Sequence, residues 1–119
     1  MNKKNIYKTD SESRPEAIAA EKSGYMLKVS YELKKDLRAQ FISEVLEADI
    51  LSLSRKEPQN IYYDMYIPVD SDTSIHLVEL WPSEEAIDFH KKSKHYEILT
   101  ALKAKYEIKA EILKFNIDL

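Results

Sequence analysis

Cysteine is absent from the 119 residues. That removes a disulfide framework, a thiolate metal site and a cysteine nucleophile at once. Glycine occurs once, at Gly24, so neither a phosphate-cradling loop nor a dinucleotide-binding fingerprint can be assembled. No apolar run approaches the roughly 18 residues of a membrane span. Asn2-Lys3-Lys4 has the charge of a signal peptide's start, but no apolar stretch follows it. A basic excess is missing too: the formal charge is −3, the wrong sign for the basic stripe that nucleic-acid binding uses. No nucleic acid, no membrane and no tightly held nicotinamide or flavin cofactor is therefore expected, and the simplest address is cytoplasmic.

Bulky rings are plentiful: eight tyrosines, three phenylalanines and one tryptophan. The length allows one domain and leaves little room for a large core in a monomer. Residues 1–23 read as a polar tail, solvated or laid on a partner subunit, with a short helical stretch over Pro15–Lys22. Residues 24–119 read as the domain.

Tyr25, Leu27, Val29, Tyr31 and Leu33 alternate with Met26, Lys28, Ser30 and Glu32, the period of a strand with one buried face. Asp36 is placed to cap a long helix running to Arg55, whose stripe is Leu37, Phe41, Val45 and Ala48. Pro58 ends it by disfavouring helical geometry at Glu57. A second strand, Asn60–Pro68, carries Tyr63 on one face and Tyr66 on the other, so only one of them can line a given cavity. After the turn at Asp70-Ser71-Asp72, a third strand, Ser74–Trp81, sets Ile75, Leu77, Glu79 and Trp81 on one face and His76, Val78 and Leu80 on the other.

Pro82 stops that strand and Ser83 caps a helix whose first turn holds Glu84 and Glu85. A break near Ser93 separates this helix from one carrying Tyr96, Leu99, Leu102 and Tyr106. The last strand, Glu107–Asp118, changes its apolar phase between Ile112 and Leu113, as a bulge or a departing strand would. The order is β-α-β-β-α-β, the α+β ferredoxin-like motif. Both helices cover one face of the sheet, and the apolar side chains left on the other are best hidden against a second copy, as a two-fold homodimer.

The chemistry concentrates between Glu79 and Tyr96. Glu79 is a carboxylate on an apolar face, costly unless bonded. It can orient a histidine, or bond a backbone N–H or a tyrosine and stay silent. His90 lies beside the buried helix face, either satisfied there by a carbonyl or carboxylate, or serving as a general base. His95, at the break, has the same two readings. Trp81 is a wall whose N–H needs an acceptor. His76, on the opposite strand face, reads as structural. Metal is not expected: His90 and His95 are spaced i, i+5, not the i, i+4 of a helical zinc site.

Glu79-x-Trp81-x-x-x-x-Ala86-x-x-x-His90-x-x-Ser93-x-His95, with Tyr96 in the usual aromatic place, resembles the signature of the antibiotic biosynthesis monooxygenase (ABM) family. The resemblance covers about Tyr25–Ile117 and implies a dimeric α+β barrel of two ferredoxin-like sheets. It also implies oxidation of a small phenolic or quinol-type aromatic substrate by O₂ with no metal or flavin, the deprotonated substrate supplying the electron. On that analogy His90 or His95 is the base, Glu79 its orienter, and Trp81, Tyr63, Tyr66 and Tyr96 the substrate-binding walls. A haem-degrading branch uses a first-strand asparagine with a tryptophan and a histidine on the second helix. Here the first strand has no asparagine, and His90 and Thr100 stand in those other places, which disfavours haem. Two other readings of the same pocket are a non-catalytic small-molecule binding or regulatory dimer, and an isomerase of a small carbonyl compound.

Overall fold

A computed structural model describes residues 23–119. The tail expected over 1–23, with its helical stretch, lies outside them but for Ser23. The elements are β1 (Ser23–Glu32), α1 (Arg38–Glu47), α2 (Ile50–Arg55), β2 (Tyr62–Tyr66), β3 (Ser74–Trp81), α3 (Glu84–Lys91), α4 (Lys94–Lys105) and β4 (Lys109–Asp118). They build one antiparallel sheet in the order β2-β3-β1-β4. This is the ferredoxin-like α+β fold, with each helical connection broken in two. Among the described residues no helix is long and apolar enough to cross a membrane.

Alternation in the strands decides what is buried. Leu27, Val29 and Tyr31 of β1 pair with Glu79, Leu77 and Ile75 of β3, and all six are buried beneath the helices. Tyr63 of β2 stands opposite Glu79 on the same face. Arg55 fastens α2 to this edge: its Nε donates to the Tyr63 carbonyl and its guanidinium to Asp64, each at 2.8 Å.

Three local expectations differ from the structure. The long first helix is two, because Asp49 takes a left-handed conformation (φ 59°) that starts a new helix at Ile50. Aspartate tolerates that region better than most residues, and the corner buries Ile50 completely. Asp36 is not a cap; it has φ 71°, and Leu37 holds the N-cap position with no side-chain bond. The last strand has no bulge: β4 pairs with β1 without interruption from Asp118 opposite Ser23 to Lys109 opposite Glu32. Its phase change instead places Ala110 and Ile112 on the helix side, and Leu113, Phe115 and Ile117 on the side away from the helices.

The lone glycine is there for closeness. A Cβ on Gly24 would stand 2.5 Å from the Trp81 carbonyl oxygen, inside any permitted contact. The tight turns fall to Asp36, Asp49 and Glu107, which have positive φ without being glycine.

Candidate functional site

Two serines set the helices that carry the histidines. Ser83 accepts a hydrogen bond from the Ala86 N–H at 3.1 Å and starts α3; Ala86, Ile87 and His90 form its buried side. Ser93 accepts from the Tyr96 N–H at 3.1 Å to start α4, and its hydroxyl donates to the His90 carbonyl at 2.7 Å. One side chain thereby ties the end of one helix to the beginning of the next. The chain turns between them, so His90 and His95 face each other, with ring centroids 5.7 Å apart.

Between the two imidazoles lies Glu57. Its Oε2 is 2.6 Å from His90 Nδ1 and 2.6 Å from His95 Nε2. An ionised carboxylate only accepts, so toward an ionised Glu57 both ring nitrogens act as donors. Glu57 follows α2, its N–H donating to the Ser54 carbonyl at 3.2 Å and its carbonyl accepting from the Asn60 N–H at 3.0 Å. The carboxylate is therefore presented by a short turn with its own hydrogen bonds. His90 is 2% exposed and Glu57 7%. The atoms left over, His90 Nε2 and Glu57 Oε1, are buried and accept or donate nothing within the protein.

Rings pack around His90. Trp81 is tilted over it at 4.8 Å between centroids, while Tyr63 at 5.4 Å and Tyr96 at 5.2 Å meet it edgewise. Trp81 and Tyr63 are buried and Tyr96 is half-buried. Glu79 accepts from the Trp81 indole N–H at 2.9 Å. Burial pushes its carboxyl above the usual range, and the indole bond and nearby His90 pull it partly back. Burial likewise holds the Tyr63 phenol well above its ordinary value, and the Glu79 charge adds to that. Lys103 brings a cation over the rings of Tyr31 and Tyr96, at 5.7 and 5.8 Å; burial lowers its amine and the Glu79 charge raises it again.

Of the residues singled out in the sequence, His90, His95, Glu79, Trp81, Tyr63 and Tyr96 gather here. Tyr66 does not: it is on the opposite strand face and borders a hollow of about 190 Å³ with Ile42, Leu46 and Met65. His76, as expected, is away from the site, its Nδ1 3.1 Å from the Ser30 hydroxyl. The carboxylate bonded to His90 is Glu57, not Glu79. Sequence reasoning passed over Glu57 because its only local mark is the proline after it. Glu57, His90 and His95 also present three ligand atoms within 4.8 Å of one another, which the i, i+5 spacing on a single helix would not have allowed.

Residues 24–99, a stretch of the chain that contains Glu57, Glu79, His90 and His95, match the family model described as "Antibiotic biosynthesis monooxygenase". The chain belongs to the ABM family. It is 28% identical over 72 residues to "Putative monooxygenase YcnE" of Bacillus subtilis (strain 168), covering 60% of this chain and 74% of that protein. Among solved structures, the "Putative antibiotic biosynthesis monooxygenase from Nitrosomonas europaea" superposes with a TM-score of 0.69 at 22% identity, over 76% of this chain and 95% of that one. SnoaB, a cofactor-independent oxygenase from Streptomyces nogalater, superposes with a TM-score of 0.65 at 14% identity, over 79% and 91%. The structural likenesses concern the fold; the match of the ABM model is what assigns the family.

Proposed function

We propose that this ABM protein is a cofactor-independent monooxygenase that oxidises a small phenolic or quinol-type substrate with O₂. The observation that carries the reading is the contact pattern at His90: Nδ1 lies 2.6 Å from the Glu57 carboxylate and Nε2 has no partner. With Nδ1–H given to Glu57, a neutral imidazole keeps its lone pair on Nε2, the nitrogen without a partner, in a ring packed among Trp81, Tyr63 and Tyr96. Such an atom is a general base placed where a phenol would lie. It takes the phenolic proton, and the phenolate gives one electron to O₂. Superoxide and the aryloxyl radical combine at a ring carbon; loss of water then leaves a quinone, so one oxygen atom enters the ring and the other leaves as water.

In this reading Glu57 positions the base, taking the role expected of Glu79. His95, bonded to the same oxygen, holds Glu57 in place. Glu79 fixes the Trp81 wall, and Lys103 offers positive charge to the phenolate. Tyr96, half-buried and between His90 and Lys103, is the ring the substrate must pass. The protein's other contribution is to exclude water while the radical pair forms.

The working unit is a cytoplasmic homodimer. Met26, Val78, Leu80, Leu113 and Phe115 share the sheet face away from the helices, and Leu113 and Phe115 are 55% and 43% exposed. Covering such a face gains about 25 cal/mol per Å² of apolar surface.

The test is oxygen uptake with a panel of phenols and quinols. Uptake that survives chelators and falls to background in His90→Ala is expected. A chain that purifies with a small molecule in place and consumes no oxygen would be a binding or regulatory dimer. Conversion of a small carbonyl compound without oxygen would make it an isomerase. Either would overturn the proposal.

A further inference from the structure

We propose that Glu57, His90 and His95 form a binding site for one divalent transition-metal ion of the zinc class. Two imidazole nitrogens and one carboxylate, without thiolate, are a donor set that suits zinc and its first-row neighbours. Calcium and magnesium prefer all-oxygen shells. The three donors come from separate elements, the turn after α2, the end of α3 and the first turn of α4, and converge to within 4.8 Å.

A second observation, independent of that convergence, asks for a cation. The Glu57 carboxylate is more than nine-tenths buried, and its Oε1 has no partner. Among the described residues its ion pairs are with the two histidines alone, never with lysine or arginine. A buried carboxylate so placed is short of positive charge, and a divalent ion supplies it.

Binding needs side-chain movements of about 1 Å. Donors about 2.0–2.2 Å from zinc stand roughly 3.4 Å apart in a tetrahedral shell. Glu57 Oε2 is 2.6 Å from each nitrogen, so the carboxylate must draw back by under about 1 Å, and the two nitrogens, within the 4.8 Å spread of the set, must close by up to about 1.4 Å. It sits in the turn between α2 and β2, outside any ladder. The His95 side chain is 11% exposed, which leaves the fourth position to water, as in open zinc sites. With the ion on His90 Nδ1, the imidazole proton moves to Nε2. The bound ion therefore disables the base of the proposed oxygenase. That corollary rests on the functional reading above, whereas the site itself rests on geometry.

The experiment uses tag-free, metal-stripped full-length chain titrated with Co²⁺ and then Zn²⁺. The expected result is one ion per chain, with visible Co²⁺ bands of four- or five-coordination that Zn²⁺ abolishes. Glu57→Gln and His95→Ala should weaken binding by more than the roughly 10–100-fold that loss of an outer-shell partner costs. His76→Ala should bind as the wild type does. Circular dichroism checks that the variants fold. If they do not, nitrogen-15 shifts of the wild-type imidazoles decide: Zn²⁺ should move His90 Nδ1 and His95 Nε2 and leave His76 in place. Absence of stoichiometric binding, binding indifferent to both substitutions, or shifts confined to His76 would overturn the site. A chain that binds the ion yet consumes no oxygen would keep the site and sink the oxygenase.

Discussion

At the Ile75 end of the sheet, Phe41 meets Tyr31 and Tyr106 edge to face, with centroids 6.1 and 5.6 Å apart. The Tyr106 hydroxyl reaches the rim, where it bonds Glu44. At the Trp81 end, rings again crowd together, but around an imidazole and two carboxylates that the helices cover. Both ends lie on the same sheet face and under the same layer. One ties its rim hydroxyl, that of Tyr106, to the Glu44 carboxylate. The other retains polar atoms inside, and Glu57 Oε1, His90 Nε2 and the Tyr63 hydroxyl have no partner there. Burying such groups costs free energy that hydrocarbon in the same space would not. The first end is packed for stability; the second gives some of it up, as the proposed oxygenase chemistry requires.

That division can be broken from either side. The largest effect belongs to Glu57→Gln. It replaces the carboxylate that both imidazoles share with a neutral amide of the same shape, and should cut oxygen-uptake kcat/KM by roughly 10²–10⁴-fold, the range of general acid–base assistance. The pH profile should move as well, because the base loses the charge that fixes its tautomer. An unchanged profile would reduce Glu57 to a structural part. Next is Phe41→Ala at the other end. Phe41 is fully buried, so urea unfolding should show a loss of about 3–5 kcal/mol, with uptake per folded molecule and zinc affinity retained.

Gly24→Ala, which forces a methyl against the Trp81 carbonyl, should cost about 1–3 kcal/mol and disturb the Trp81 end more than the Ile75 end. Indole fluorescence of Trp81 would report the difference. Glu79→Gln is the mildest. The folded protein raises the Glu79 carboxyl above its ordinary 4.5, so its effect on stability is most favourable at low pH and is lost as pH rises through the raised value. Glutamine removes that slope and still accepts from the Trp81 indole. Thermal melts of wild type and variant should therefore converge in acid, and at neutral pH the variant should melt no lower. A neutral-pH melt well below wild type would mean that the charge itself holds the site together.

The sheet and its buried face were readable in the sequence because period-two alternation leaves little freedom: Leu27, Val29, Tyr31, Leu77 and Trp81 could fall only on one side. Ser83 announced its helix start by the same local logic, since a cap acts within three residues, while Ser93 was legible only as a break. The separation of Tyr63 from Tyr66 followed from strand pleat alone. The pairing of acid to base did not. Glu57 meets His90 across 33 residues of chain, and nothing local to either tells of the other. Glu79 drew attention because it shared a strand face with the indole that it proved to bond. The corner at Asp49 was hidden for a related reason: the apolar stripe continues through it, and only the left-handed backbone there reveals the change of direction.

The joint at Lys92-Ser93 has a consequence of its own. Each residue turns an α-helix by about 100°, so a single amino acid added at the joint would rotate α4 by about a quarter-turn against α3. His95 would swing out of reach of Glu57, while His90, anchored in α3, would stay. One inserted residue thus separates what the two imidazoles do together from what either does alone, leaving the side chains of both helices as they were.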